Sequence, residues 1–304
     1  MVRQRIKSMT SRFTLSILID GILGKIFFVI GFVCLFVLLL IMLFLFKEGV
    51  PIFKNVSVGD FVFGARWYPT SEIPQFGIFP LIVASLLITI LASVISVPLS
   101  LAIAVYLSNI AAPATREIIK PMIELIASLP SVIISFFGMV VIAPFLQEKF
   151  DLDTGLNLFN ASLMLAFMAV PTIASISEDA LSSVPVSLKE ASYALGANRW
   201  QTIMYITIPA ALSGIWAAII LGISRVIGET MVVLMVAGGA AVVPQSIFDP
   251  VRPLTSNIAA EMAEAPFQSL HYHALFAIGI MLFVITFIFN ILADYLSNKY
   301  KFKS

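Results

Sequence analysis

The chain has 304 residues, of which 60% are apolar and 12% charged, against roughly half and a quarter in soluble domains; a water-soluble globular core is excluded. A net charge of +1 gives no basic stripe, so nucleic acid is excluded as a partner. The single cysteine, Cys34, precludes an intramolecular disulfide and reads as a small lipid- or helix-facing residue.

In chain order, the apolar runs predict six transmembrane helices, near 26–46, 78–106, 122–146, 158–181, 210–236 and 271–297. Each is long enough to cross about 30 Å of hydrocarbon with its backbone paired internally. The fold class is therefore an all-α polytopic membrane protein. Residues 1–25 form a basic amino-terminal segment. The run at 26–46 is longer than a signal-peptide core and has no small-residue cleavage site after it, so it reads as a retained first helix. With the amino terminus inside, twelve Lys and Arg fall in inside segments and five in outside loops, which satisfies the positive-inside rule with both termini cytoplasmic.

The first helix and its external loop occupy 26–76, and a transmembrane core is expected over 77–297. In the loop, Phe61, Phe63, Trp67 and Tyr68 are expected at headgroup level. Along the second span Ser85, Thr89, Ser93, Ser96 and Ser100 form one hydroxyl stripe at helical spacing. Such hydroxyls either bond their own i−4 carbonyls or line a polar path. A short inside loop is expected over 108–120 and a short acidic outside loop over 147–157. The segment 182–209 is too polar to cross, and Pro185 and Pro209 fence a helix, a turn at Gly196 and a second helix, a surface hairpin.

In the fifth span, Gly214, Ala218, Gly222, Arg225 and Glu229 fall in one sector of about 80° if the helix is continuous. Small residues mark the face on which membrane helices meet, so an Arg225–Glu229 ion pair is expected inside the bundle. It reads either as a buried salt bridge that fixes packing or as a polar site on a transport path. Counted from Ala210, Arg225 lies about 22 Å along the helix, near mid-depth. An external stretch, 238–270, leads to the sixth span. His271 and His273 there are about 200° apart, so they cannot converge on one ion and read as part of an interfacial girdle. Residues 298–304 form a basic cytoplasmic tail.

No Gly-x-x-x-x-Gly-Lys-[Ser/Thr] loop occurs; the fragment Gly21 to Lys25 has the wrong spacing. ATP hydrolysis therefore falls to a different chain.

Glu190, Ala191 and Ser192, then Gly196, then Ile206, Thr207, Ile208 and Pro209 resemble the EAA loop of ABC importer permeases. Ser192 replaces the usual alanine and Ile208 the common leucine. The sequences WYPT from Trp67, FGIFPL from Phe76, LPSVIISFF from Leu129, IGETM from Ile227 and EMAEAPFQSLHYHALFAI from Glu261 resemble phosphate-specific transport permeases, the C-type subunit more than the A-type. The likeness runs from the second span onward. It implies a type I ABC importer permease fold in a prokaryotic plasma membrane, with an A-type second permease, two ATPase subunits that hold ATP and Mg, and an external phosphate-binding protein. No cofactor is expected in this chain. The resemblance implies ATPase coupling at Glu190, Ala191, Gly196, Ile206 and Pro209, and phosphate passage at Arg225 and Glu229. Ser85, Thr89 and Ser93 are further candidates for the path. A permease for molybdate or sulfate is the near alternative, since the EAA loop does not encode substrate. An intramembrane enzyme would need convergent groups such as His271, His273, Glu261 and Glu264, which the helical phase disfavours, and a passive channel gives no reason for the loop.

Overall fold

The computed structural model describes residues 2–299, with side chains over 23–293 and at 295. The tail expected at 298–304 therefore lies, from 300 on, outside the described residues. Helix α1 (Val2–Gly49) continues through a short 3-10 turn (Val50–Lys54). A short helix α2 (Val58–Phe63) and a two-stranded hairpin, β1 (Trp67–Tyr68) with β2 (Gln75–Phe76), follow. Then come α3 (Phe79–Val105), α4 (Pro113–Ala127), α5 (Ser131–Phe137), α6 (Ala143–Phe150), α7 (Leu158–Ser182) and α8 (Val186–Ala194). The chain ends with α9 (Arg199–Thr202), α10 (Ile208–Ile227), α11 (Met231–Val236), α12 (Leu254–Glu261) and α13 (Leu270–Lys299).

Six helical stretches are long and apolar enough to cross a membrane: Leu23–Lys54, Phe79–Ile110, Ser131–Phe150, Leu158–Ser182, Arg199–Ile227 and Leu270–Ala293. Helix α7 is the most enclosed. Against it α3 turns the buried residues Ala84, Ile88, Ala92, Ser96, Ser100 and Ala104. Small residues repeating every fourth position let the two backbones approach, so close packing holds them where lipid supplies no hydrophobic drive. Opposite, α10 meets α7 through Gly214 and Gly222: a methyl added at Gly214 would strike Ala180, and one at Gly222 would strike Ile173. By contrast α1 packs along α13, where Phe44 meets Phe276 edge-on and Leu45 covers Gly279. From Leu23 onward the apolar side chains of α1 are otherwise mostly exposed.

Several boundaries differ from the sequence reading, and the first span runs on to Lys54, not 46. The third span starts at Ser131, not near 122, because Pro130 ends one helix and caps the next. The stretch read as an inside loop is instead α4, an amphipathic helix with no buried residue. The fifth span starts at Arg199, and Pro209 does not end a surface helix; its missing N–H is absorbed just after a π-helical turn, Ile203–Thr207, that joins α9 to α10. The span stops at Ile227, short of the predicted 236.

At the end of the bundle that carries the hairpin, a second core forms around Ile52, Phe61, Trp67, Phe76, Leu81, Leu254 and Leu275. Phe61 and Trp67 are thus core residues and not headgroup aromatics, whereas Phe63 and Tyr68 are exposed. Their anchor is Glu261. Its carboxylate accepts from Trp67 Nε1 at 2.9 Å, pairs with Arg252 at 2.7 Å and meets His271 Nε2 at 2.8 Å. His273 turns away to the Glu48 carbonyl, 2.7 Å from Nδ1. The two imidazoles therefore take separate protein partners, as the helical phase requires, and the girdle expected there is a hydrogen-bonded network. Likewise the stretch 238–270 is no free loop: Leu254, Thr255, Ser256 and Asn257 are buried.

Candidate functional site

Of the candidate path residues, Arg225 sits three residues before the C-cap Gly228 of α10. Its face of the helix is the one carrying Gly214, Ala218 and Gly222, and Ala218 and Gly222 are buried. The glycine contact with Ile173 sets the closest approach of α10 and α7 one turn from the arginine. There the guanidinium reaches across and donates from NH1 to Thr172 Oγ1 at 3.3 Å. Thr172 is fourteen residues from the start of α7 and ten from its end, about 21 and 15 Å along the axis. The arginine therefore lies beside the middle of α7, although it is near the end of its own helix.

The expected Arg225–Glu229 pair does not form. The helix ends at Ile227 with Gly228 as its cap, so the phase that would align Glu229 with Arg225 is lost. Instead the Glu229 carboxylate accepts from the Met231 amide at 3.2 Å and caps the first turn of α11, while its carbonyl accepts from Thr255 Oγ1 at 2.9 Å. Among the described residues no carboxylate lies within 4.0 Å of the Arg225 guanidinium, which is exposed on this chain. A bare guanidinium facing lipid at mid-depth costs several kcal/mol, so such residues face a cavity or a partner.

The hydroxyl stripe of α3 turns inward on itself. Ser85 donates to the Leu81 carbonyl at 2.8 Å, Thr89 to Ser85 at 2.8 Å, Ser93 to Thr89 at 2.7 Å and Ser100 to Ser96 at 2.6 Å. Four of the five hydroxyls thus make the i−4 bond, while Ser96 Oγ is buried without a partner among the described residues. Ser85 Oγ also accepts from the Leu254 amide at 3.0 Å, which ties α12 to α3.

At the opposite end of the bundle from the hairpin, α8 and α9 form the expected helix–turn–helix. Asn198 and Gln201 make a reciprocal capping box at the start of α9, satisfying two otherwise orphan amides. The limbs are joined by a buried hydroxyl contact, Ser192 Oγ to Thr202 Oγ1 at 2.9 Å, which explains why serine suits the position where alanine is usual. Gly196 has φ +86°, and a methyl there would meet open space; the backbone alone demands glycine. A groove of about 610 Å³ opens beside it, lined by Leu188, Ala191, Leu195, Gly196, Tyr205 and Ile206 among others. Leu195 is 90% exposed, Tyr205 75% and Trp200 60%. Glu190 is exposed on the same limb, whereas Pro209 lies beyond the groove at the start of α10.

Sequence reasoning missed the cation cluster at this end. Glu178, near the end of α7, has no exposed side-chain surface, yet it is paired with Arg116 and, at 2.7 Å, with Lys120 of α4. Ser182 Oγ donates to the same carboxylate at 2.7 Å and accepts from Arg116 at 3.0 Å, while Lys120 also pairs with Asp179. Burial pulls the Lys120 pKa down, but hydrogen bonds to Asp179 and Glu178 and their charges outweigh it, so the net shift is upward. The Lys189 pKa is lowered by burial and then by the Arg116 charge. Both Lys189, to Asn109 Oδ1 at 3.4 Å, and Arg199, to the Asn109 and Ile110 carbonyls, bind the turn that ends the second span. A carboxylate in the last turn of an apolar run was the available signal.

Residues 96–302 match the family described as binding-protein-dependent transport system inner membrane component. The chain belongs to that family. As a member, it is a subunit of a transport system. It is 38% identical to the probable ABC transporter permease protein YqgH of Bacillus subtilis, over 86% of this chain and 85% of that one. It is 34% identical to the phosphate transport system permease protein PstC of Pasteurella multocida, over 75% and 76%. Its fold matches a chain in the structure of a bacterial ABC transporter involved in the import of the acidic polysaccharide alginate, with a TM-score of 0.59, 16% identity and coverage of 88% and 96%. The six-span importer-permease fold expected from the sequence is the fold of this family member.

Proposed function

We propose that the chain is one permease subunit of an ATP-driven importer that moves inorganic phosphate from an external binding protein into the cytoplasm. The observation that carries this reading is its likeness to PstC over three-quarters of its length. A mid-span arginine with no carboxylate beside it suits that substrate, because a guanidinium fork donates paired hydrogen bonds to two oxygens of a tetrahedral anion. The distribution of Lys and Arg supports a cytoplasmic Gly196 turn and cytoplasmic termini. The groove beside that turn, with Leu195 and Tyr205 at its rim, then takes an ATPase subunit, with Glu190, Ala191, Gly196 and Ile206 in or beside the contact. A second permease covers the exposed face of Arg225, and two ATPase subunits supply ATP and Mg chemistry that this sequence has no loop to perform.

The test is purification of the tagged chain from its own membranes, with identification of what comes with it. The reading expects a second permease, an ATPase and an external protein that binds phosphate. An external partner that binds molybdate or sulfate would reassign the substrate, and hydrolysis by the chain freed of all ATPase would overturn the permease reading itself.

A further inference from the structure

We propose that the Thr172 hydroxyl is a second ligand for the translocated anion, acting beside Arg225; the inference rests on the phosphate-permease reading and names a further contact of that path. Several hydroxyls inside the spans bond back into their own helix, and Thr172 instead faces a neighbouring one. Thr89, Ser93, Ser100, Ser135, Ser162 and Thr286 each donate to the carbonyl four residues back in their own helix. Thr172 Oγ1 makes no such bond among the described residues; its contact is the N–H of Arg225. The preceding residue, Pro171, is inside the helix.

A threonine hydroxyl has one proton to donate and two lone pairs. One lone pair is taken by Arg225, so the proton and the second lone pair remain. Hydrogen phosphate presents both acceptor oxygens and a P–OH donor, and the hydroxyl matches either. Thr172 is only half-buried and Arg225 is exposed, so both can meet a ligand in the space next to α7 and α10. The glycine contact of Gly222 on Ile173 holds the two side chains at a fixed separation, which lets one anion be met by both.

Labelled phosphate uptake by the complete transporter, in cells with matched membrane levels, tests this. Thr172→Val keeps the shape and removes the hydroxyl; losing a hydrogen bond to a charged group lowers maximal uptake about tenfold or more. Thr172→Ser keeps the hydroxyl and stays within about twofold of the parent. In an Arg225→Lys background, Thr172→Val lowers the residual uptake further, whereas a threonine that merely orients the guanidinium leaves it unchanged. Should Thr172→Val fail to reach the membrane, Thr172→Ala carries the same comparison. Parental uptake by Thr172→Val, or equal losses in the Val and Ser variants, overturns the inference; if Arg225→Gln is inactive in the same assay, the phosphate-path reading survives that result. Parental uptake by Arg225→Gln sinks the path reading itself.

Discussion

Two sets of cations lean on the same helix and are treated in opposite ways. Near the end of α7, Arg116 and Lys120 are tied to Glu178, whose carboxylate has no exposed surface and accepts from Ser182 as well. Six residues earlier on α7, Thr172 meets Arg225, which has no other partner among the described residues and is exposed. A cation neutralised inside the fold is committed to holding helices together. One left beside a hydroxyl is what the proposed anion path requires. The two sites differ in counter-charge, and that difference separates an arginine that ties helices together from one whose guanidinium has only a neutral partner among the described residues.

The largest effect that would sharpen this contrast is expected at Glu178. Glu178→Ala leaves Arg116 without its carboxylate and Lys120 with Asp179 alone, a loss of about 1.5–3 kcal/mol, and should lower both membrane abundance and the melting temperature of the solubilised chain. Parental melting by this variant would dissolve the distinction between the two sites. A smaller structural effect but a complete functional one is expected at Gly196. Gly196→Trp forces a non-glycine residue to positive φ, at about 1–2 kcal/mol, and projects an indole from the turn beside the groove. Copurification of the ATPase should be lost while membrane abundance stays near parental, and retained ATPase would place the docking surface elsewhere. The smallest effect belongs to Ser93→Ala. Its hydroxyl is spent on the Thr89 carbonyl, so uptake should change less than twofold, and a larger loss would return the α3 stripe to the path.

Much of this was legible in the sequence, and what was not has physical reasons. Six apolar runs and the small-residue face of the fifth span follow from the cost of unpaired backbone in lipid and from close helix approach. The Gly196 turn was readable because glycine between two short polar helices is a local signal. The end of the fifth span was hidden, since the apolar residues from 231 to 236 look continuous with those before Ile227. Gly228 as a cap and Thr230 before a new apolar run were the overlooked marks, and missing them produced the Arg225–Glu229 pair that the structure lacks. Pro130 likewise marked the break before the third span, but Ile118, Met122 and Leu125 made α4 resemble part of a crossing helix. The Glu261 network joins Trp67 to a residue 194 positions away, and the Arg225–Thr172 contact spans 53. Neither leaves a periodic trace in one chain.

The central claim is that Arg225 handles the anion and does not hold the fold. Its most direct test is the purified complete transporter in vesicles, with phosphate entry and ATP hydrolysis measured together for Arg225→Gln. The account predicts a normally assembled complex with the parental melting temperature, hydrolysis still stimulated by the external binding protein, and no phosphate entry. Parental phosphate entry by Arg225→Gln, or loss of assembly with loss of entry, would contradict it.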